Sequence, residues 1–187
     1  MSLIKTQFRQ TCMQKIKNAP KHNKKYRNLI INKELMKHLK GVKNKKILFY
    51  MPLPFEADTM KTLLQMRKKC EIFVPFMQGK SFKMVPFRLP LKKNRFGILE
   101  AGNTNKIINN IDIAIVPAVG VDGNLQRIGF GKGMYDRFFE KLKKRPYTIF
   151  IQPTLCYTKE YVCDAYDVKC DMLITPFVRK LPVAGYR

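Results

Sequence analysis

The chain has 187 residues, 45% of them hydrophobic, with 37 lysines and arginines against 13 acidic residues and a formal net charge of +24. That length suits a single domain spanning residues 1–187, and that apolar share supports a core and argues against wholesale disorder. The two histidines, His22 and His38, lie in the lysine-rich N-terminal stretch, which argues against a histidine-centred triad and a multi-histidine metal site. The five cysteines are Cys12, Cys70, Cys156, Cys163 and Cys170. Odd in number and without a CxxC pair, they read as reduced thiols, so a cytoplasmic protein is expected and a disulfide framework is not. The N-terminus is interrupted by charge from Lys5 onward, with no apolar run of signal-peptide length, and no stretch approaches the roughly 18 apolar residues of a membrane span.

Apolar positions Leu3, Ile4, Phe8, Cys12, Met13 and Ile16 predict a helix over 2–17 with Ser2 as its N-cap. Pro20 separates it from a second helix at about 23–40, which ends at Gly41. The run 45–51 (KKILFYM) predicts a buried strand closed by Pro52 and Pro54. Residues 57–69 read as a helix, 71–77 (EIFVPFM) as a strand, 78–80 as a turn and 81–87 as a further strand. Residues 88–103, with Pro90, Gly97 and Gly102, read as a long connection. The most apolar strand is 111–119 (IDIAIVPAV); a glycine-rich loop and a helix at 134–144 follow, then strands at 147–152 and 172–175. Strands that alternate with helices and are apolar on both faces predict an α/β fold, a mostly parallel sheet covered by helices.

Residues 1–50 hold 14 of the 37 basic residues and one of the 13 acidic ones, whereas residues 151–187 hold five and four. This N-terminal excess reads either as an arm or funnel for a polyanion or as a solvated helical surface. Aromatic residues do not interleave with the basic ones as they would on a base-stacking platform.

The segment richest in chemistry is 122–136, DGNLQRIGFGKGMYD, between a buried strand and a helix. Gly129, Gly131 and Gly133 alternate, which permits positive φ and close approach of the backbone to a ligand. Main-chain N–H groups of such a loop, with Arg127 and Lys132 beside them, make an anion cradle at the carboxyl end of a strand. The pattern is neither a Walker A loop nor GxGxxG, and a tight strand–helix turn with two surface cations is the competing reading. Asp136 serves either as a helix-terminal acid or as a magnesium ligand beside bound phosphates. Asp171, at the edge of the last strand, and Glu56 and Asp58, after the first, carry the same ambiguity. Cys163 and Cys170 read as small buried apolar residues.

With Pro117 and Gly120 before it, VDGNLQRIGFGKGMYD resembles the signature of the 5-formyltetrahydrofolate cyclo-ligase family, roughly FDxxGxRLGxGxGYYD. Further family features occur in order over nearly the whole chain: Lys5 and Arg9 on the first helix, Glu56, Asp58 and Thr59 after the first strand, Gly97 to Glu100, and Asp167, Val168, Asp171 and Thr175 late in the chain. Departures are Val121 for phenylalanine, Leu125 at the usual glycine position, Ile128 for leucine, Met134 for the first tyrosine, and Ala101 for proline.

The resemblance implies a three-layer α/β/α sandwich with a mostly parallel, Rossmann-like central sheet and N-terminal helices. It implies an enzyme that closes 5-formyltetrahydrofolate to 5,10-methenyltetrahydrofolate with ATP as co-substrate and Mg2+ as cofactor. By that resemblance Lys5, Arg9, Arg127 and Ile128 through Tyr135 (Gly129, Phe130, Gly131, Lys132, Gly133 and Met134 between them) bind ATP. Tyr50, Glu56 and Phe130 to Met134 contact the folate, Lys132, Arg127 and Tyr135 act in catalysis, and Asp136 and Asp171 hold the metal. Small molecules are the expected partners, of a monomer that meets neither membrane nor nucleic acid. The alternative is a basic nucleic-acid-binding α/β domain without this activity. A sugar-phosphate or coenzyme-A-handling enzyme on a related fold would keep the glycine loop but have no use for Lys5 and Arg9.

Overall fold

The computed structural model describes residues 3–94, 97–104, 108 and 110–177, so the Ser2 N-cap lies outside the described residues. In chain order the elements are α1 (Leu3–Asn18), a 3-10 turn (Lys21–Asn23), α2 (Lys24–His38), β1 (Lys46–Leu48), α3 (Met60–Met66), β2 (Glu71–Gln78) and β3 (Ser81–Pro86). Then come β4 (Lys92–Lys93), β5 (Leu99–Glu100), β6 (Ile113–Pro117), β7 (Gly120–Val121), β8 (Arg127–Ile128), α4 (Met134–Glu140), β9 (Tyr147–Ile151) and β10 (Met172–Ile174).

Six strands form one sheet in the order β10-β9-β6-β1-β2-β3. Every pairing in it is parallel except the β2–β3 hairpin. Alternate residues of a strand point to opposite faces, and here both faces are buried. Ile47, Ile72, Val74, Ile115, Ile149 and Ile151 pack with Ile31 and Leu35 of α2 and Leu63 and Met66 of α3. Leu48, Phe73, Ala114, Val116 and Phe150 turn the other way, toward Phe138 of α4. That is why the strands read as continuous apolar runs, and it makes the three layers.

The first helix covers neither face of the sheet. α1 lays Phe8, Cys12, Met13 and Ile16 against Val119 and Cys156, just past the ends of β6 and β9. It therefore lies across the carboxyl end of the sheet, where ligands of open α/β sheets bind. Leu3 and Ile4, assigned by periodicity to the same face, are 73% and 56% exposed.

Packing α1 there corrects the reading of the cysteines. Cys12 and Cys156 are both buried and form a disulfide across a sequence separation of 144. Spacing along the chain carries no sign of a contact made only when the first helix meets the loop after β9. Cys70, Cys163 and Cys170 are free, and burial pushes the Cys170 thiol up to about 12. The 88–103 connection contains the β4–β5 ribbon, and the glycine segment begins with the β7–β8 hairpin. Two-residue strands are too short to leave a periodic pattern. Among the described residues no helix is long and apolar enough to cross a membrane.

Candidate active site

Strand order reverses beside β1: the chain runs outward to β2 and β3 on one side and to β6, β9 and β10 on the other. Such a switch point opens a crevice at the carboxyl ends of the strands. Tyr50 follows β1 into this crevice, and β6 feeds the β7–β8 hairpin above it.

The hairpin is held by Asp122, which is fully buried. Its Oδ1 accepts the N–H groups of Asn124 and Gln126 at 3.0 and 2.9 Å, and its Oδ2 that of Cys163 at 3.1 Å. Leu125 takes φ +59° within this turn, the left-handed region that glycine adopts freely. A leucine thus holds a backbone conformation that glycine would adopt without strain.

Arg127 leaves the hairpin pointing inward and is 5% exposed. Nε donates to the Pro117 carbonyl at 2.9 Å, the guanidinium lies 4.7 Å from the Tyr135 ring centre, and Nη1 is 3.9 Å from Asp136 Oδ2. A Cβ on Gly129 would fall 2.6 Å from Arg127 Nη1, so glycine at 129 makes room for the guanidinium. Arg9 reaches from α1 and donates Nε–H to the Gly129 carbonyl at 2.8 Å.

Two cavities meet at this loop. The larger, about 770 Å³, is lined by Lys5, Arg9, Arg127, Gly129, Gly131, Lys132, Gly133, Asp136 and Asp167, with Phe139 and Leu142 at an apolar side. The smaller, about 300 Å³, is lined by Tyr50, Phe55, Glu56, Met77, Phe82, Phe130, Met134 and Tyr135. Arg127, Lys132 and Gly133 line both. The structure therefore divides the residues singled out above into two neighbouring groups. Gly131 faces only the larger cavity. Ile128 faces neither: it is fully buried, and its carbonyl accepts from Val119 N–H at 2.9 Å.

Charge in the larger cavity is graded. Lys5 is 3% exposed; its ammonium donates to Asp164 Oδ2 at 3.0 Å and to Asp167 Oδ2. Burial works against the ammonium, but the two carboxylates outweigh it and hold its pKa above the ordinary lysine value. In the smaller cavity burial pushes the Glu56 carboxyl up to about 7, although the Leu53 N–H (2.9 Å) and the Arg127 charge both favour its ionised form. Burial, and then the Glu56 charge, raise the Tyr50 and Tyr135 phenols well above their usual range, so both remain hydrogen-bond donors. Tyr50 spends its hydroxyl on the Ala57 carbonyl at 2.5 Å.

The two expected metal ligands separate. Asp136 lines the larger cavity; Asp171 accepts both nitrogens of the Arg145 fork at 2.9 and 3.0 Å and the Thr148 N–H at 2.7 Å. Asp167, four residues earlier, lines the cavity instead. The Val168 N–H points at Asp136 Oδ1 (3.4 Å), which brings that segment beside α4. In the sequence Asp167 stands in the late motif with no role of its own. Its neighbours Gln126, Arg127 and Val168, hydrogen-bonded across the hairpin, are what carry it into the site. Among the described residues no three His, Cys, Asp or Glu side chains gather into a metal cluster. Asp136 and Asp167, two hard carboxylates on the larger cavity, are nevertheless of the kind magnesium takes, one or two of them with phosphate oxygens and water.

Comparison with known proteins identifies the family and the fold. The family model of the 5-formyltetrahydrofolate cyclo-ligases matches residues 2–176. A Schizosaccharomyces pombe protein named as a probable 5-formyltetrahydrofolate cyclo-ligase is 26% identical, with 94% of this chain and 97% of that protein covered. Two solved structures titled 5,10-methenyltetrahydrofolate synthetase share the fold. The one from Aquifex aeolicus has a TM-score of 0.74 at 23% identity, covering 98% of this chain and 99% of its own; the one from Mycoplasma pneumoniae has 0.70 at 22%, covering 92% and 99%. The match over residues 2–176 shows that this chain belongs to the 5-formyltetrahydrofolate cyclo-ligase family and is a ligase.

Proposed function

We propose that the protein closes 5-formyltetrahydrofolate to 5,10-methenyltetrahydrofolate at the expense of ATP, with the triphosphate in the larger cavity and the pterin and formyl group in the smaller. The observation that supports this most is the common wall: Arg127 and Lys132 face both cavities, so one pair of cations reaches both reacting groups.

The formyl oxygen is a poor leaving group. In the proposed reaction it attacks the γ-phosphorus and ADP departs. The formyl carbon, now part of an iminium phosphate, is attacked by N10, and phosphate leaves with the former formyl oxygen while N10 gives up its proton. Phosphoryl transfer asks mainly for positioning and neutralisation of charge. Lys132 and Arg127 neutralise the transferring phosphoryl group, with Arg127 held in place by Pro117 and Tyr135. Arg9 braces the loop through Gly129. Lys5 orients Asp167 and adds charge at the nucleotide side. Tyr50, Glu56 and the Phe55–Phe130 pair, whose ring centres are 4.9 Å apart, contact the folate. Asp136 and Asp167 would hold magnesium, whose charge would offset that of the phosphates. No histidine base is required. The chain acts on this reading as a single-domain monomer, and the Cys12–Cys156 disulfide removes the argument from reduced thiols for a cytoplasmic location.

The test is to mix the purified protein with 5-formyltetrahydrofolate, ATP and magnesium and follow the near-ultraviolet absorbance of the methenyl product. The expected result is an ATP-dependent rise that Lys132→Ala slows by about two orders of magnitude or more. No rise from folded protein overturns the reading.

A further inference from the structure

The loop that carries Lys132 is tied to a second segment of the chain. Arg137, on the first turn of α4, donates from Nε to the Lys80 carbonyl at 3.1 Å. Its Nη2 group donates to the carbonyls of both Lys80 and Lys132. Lys80 belongs to the turn between β2 and β3, Lys132 to the glycine loop. A flat, rigid fork of donors can join two carbonyls in this way; an ammonium on a flexible stem does so poorly. Gly133 allows the approach, since its φ is +57° and a Cβ there would fall 2.9 Å from Arg137 Nη1. Ser81 adds a second tie, from Oγ to the Met134 carbonyl at 3.1 Å.

The two segments meet where the cavities join: Lys132 and Gly133 of the loop line both, and Arg137 itself lines the larger. The β2–β3 hairpin gives Met77 and Phe82 to the wall of the smaller one, and the glycine loop gives Gly129 and Gly131 to the larger. We propose that Arg137 is a positioning residue that couples the two cavities, so that filling either one strengthens binding in the other. The proposal rests on the two-substrate reading above.

The physical argument has two parts. A loop with three alternate glycines loses much backbone freedom when it is ordered around a ligand. Clamping its Lys132 carbonyl to the hairpin orders part of it beforehand, which lowers what the nucleotide must organise. A folate pressed against Met77 and Phe82 steadies the hairpin, and through Arg137 it steadies the loop as well. Coupling of this kind is reciprocal, and typical factors are about 5 to 150.

The experiment measures the dissociation constant of 5-formyltetrahydrofolate with and without a non-hydrolysable ATP analogue and magnesium, and the converse. The full chain is used as wild type, Arg137→Lys, Arg137→Ala and Ser81→Ala, with thermal melts to confirm folding. In the wild type each ligand should tighten the other about five-fold or more. Arg137→Ala should bring that factor close to one and raise KM for ATP more than it lowers kcat, Arg137→Lys should restore part of it, and Ser81→Ala should lower it less. If Arg137→Ala does not fold, Arg137→Lys and Ser81→Ala decide. An unchanged factor in the folded variants, or a wild type that turns over without coupling, overturns the clamp. A wild type that binds neither ligand and makes no product overturns the two-substrate reading instead.

Discussion

Arg9 donates from Nε to the main-chain carbonyl of Gly129 across 2.8 Å, so the first helix of the chain is bonded directly to the glycine loop. The bond is charge-assisted, a class worth about 1.5–3 kcal/mol when lost from a buried setting. Arg9→Ala should therefore raise KM for ATP about ten-fold or more, with a smaller effect on KM for folate, in steady-state kinetics with each substrate varied in turn. Arg9→Lys, which keeps the charge without the Nε geometry, should recover part of the loss. An unaltered KM for ATP in Arg9→Ala would leave Arg9 as a packing residue only.

Glu56 makes a pH prediction. Its carboxyl titrates at about 7 in the folded chain because burial disfavours its charge, against an ordinary value of 4.5. Between those two values the unfolded chain is ionised while the folded one still holds its proton. Glu56 therefore favours folding fully below pH 4.5, and that contribution is lost as pH rises through 7. A ten-fold change in proton affinity is about 1.4 kcal/mol, so the loss reaches up to about 3 kcal/mol. Thermal melts of Glu56→Gln should match the wild type near pH 4.5 and lie above it at pH 8. A difference between the two proteins that does not vary with pH would disprove the buried, elevated carboxyl.

The aspartates can be sorted by titration. Asp136→Asn and Asp167→Asn should each shift the magnesium dependence of turnover to higher concentration, by about ten-fold. Asp171→Asn should leave that dependence alone and lower Tm modestly, because it weakens a half-exposed pair with Arg145. A shift in Asp171→Asn equal to that in Asp136→Asn would reverse the assignment.

The strands of the main sheet were legible in the sequence because both faces are buried and each strand is a continuous apolar run. The segment from Asp122 to Asp136 was legible because its glycines and cations stand in one stretch of chain. Three things were not. Asp167 and Asp171 sit four residues apart at a strand edge and look alike until Arg145, packed from the turn before β9, claims one of them. The Arg137 clamp depends on a main-chain carbonyl at Lys80, and main-chain groups leave no mark in residue identity. The Cys12–Cys156 contact needs the position of α1 across the sheet, which helical periodicity does not give.

Leu125 offers a test of backbone against packing. Its φ of +59° costs a side-chain-bearing residue roughly 1–2 kcal/mol, yet the leucine is 9% exposed and packs with Val121, Phe138 and Val168. Leu125→Ala loses the packing and keeps the strain, for about 2–5 kcal/mol. Leu125→Gly loses the packing and sheds the strain. Glycine should therefore be the more stable of the two substitutions by about 1 kcal/mol, the reverse of their order in a helix. Denaturant unfolding of both variants decides it, and alanine proving the more stable would count against the left-handed conformation.

Chain ends usually let go first. Here the segment bearing Lys5 and Arg9 is stapled by Cys12 to Cys156, in the loop that follows β9. Oxidised, α1 stays joined to that loop even when its other contacts break, so it cannot leave the carboxyl end of the sheet on its own. With the sulfurs reduced, the same helix is held by the packing of Phe8, Met13 and Ile16 and by the bonds of Lys5 and Arg9. The disulfide thus anchors, independently of those bonds, the helix that brings Lys5 and Arg9 to the larger cavity.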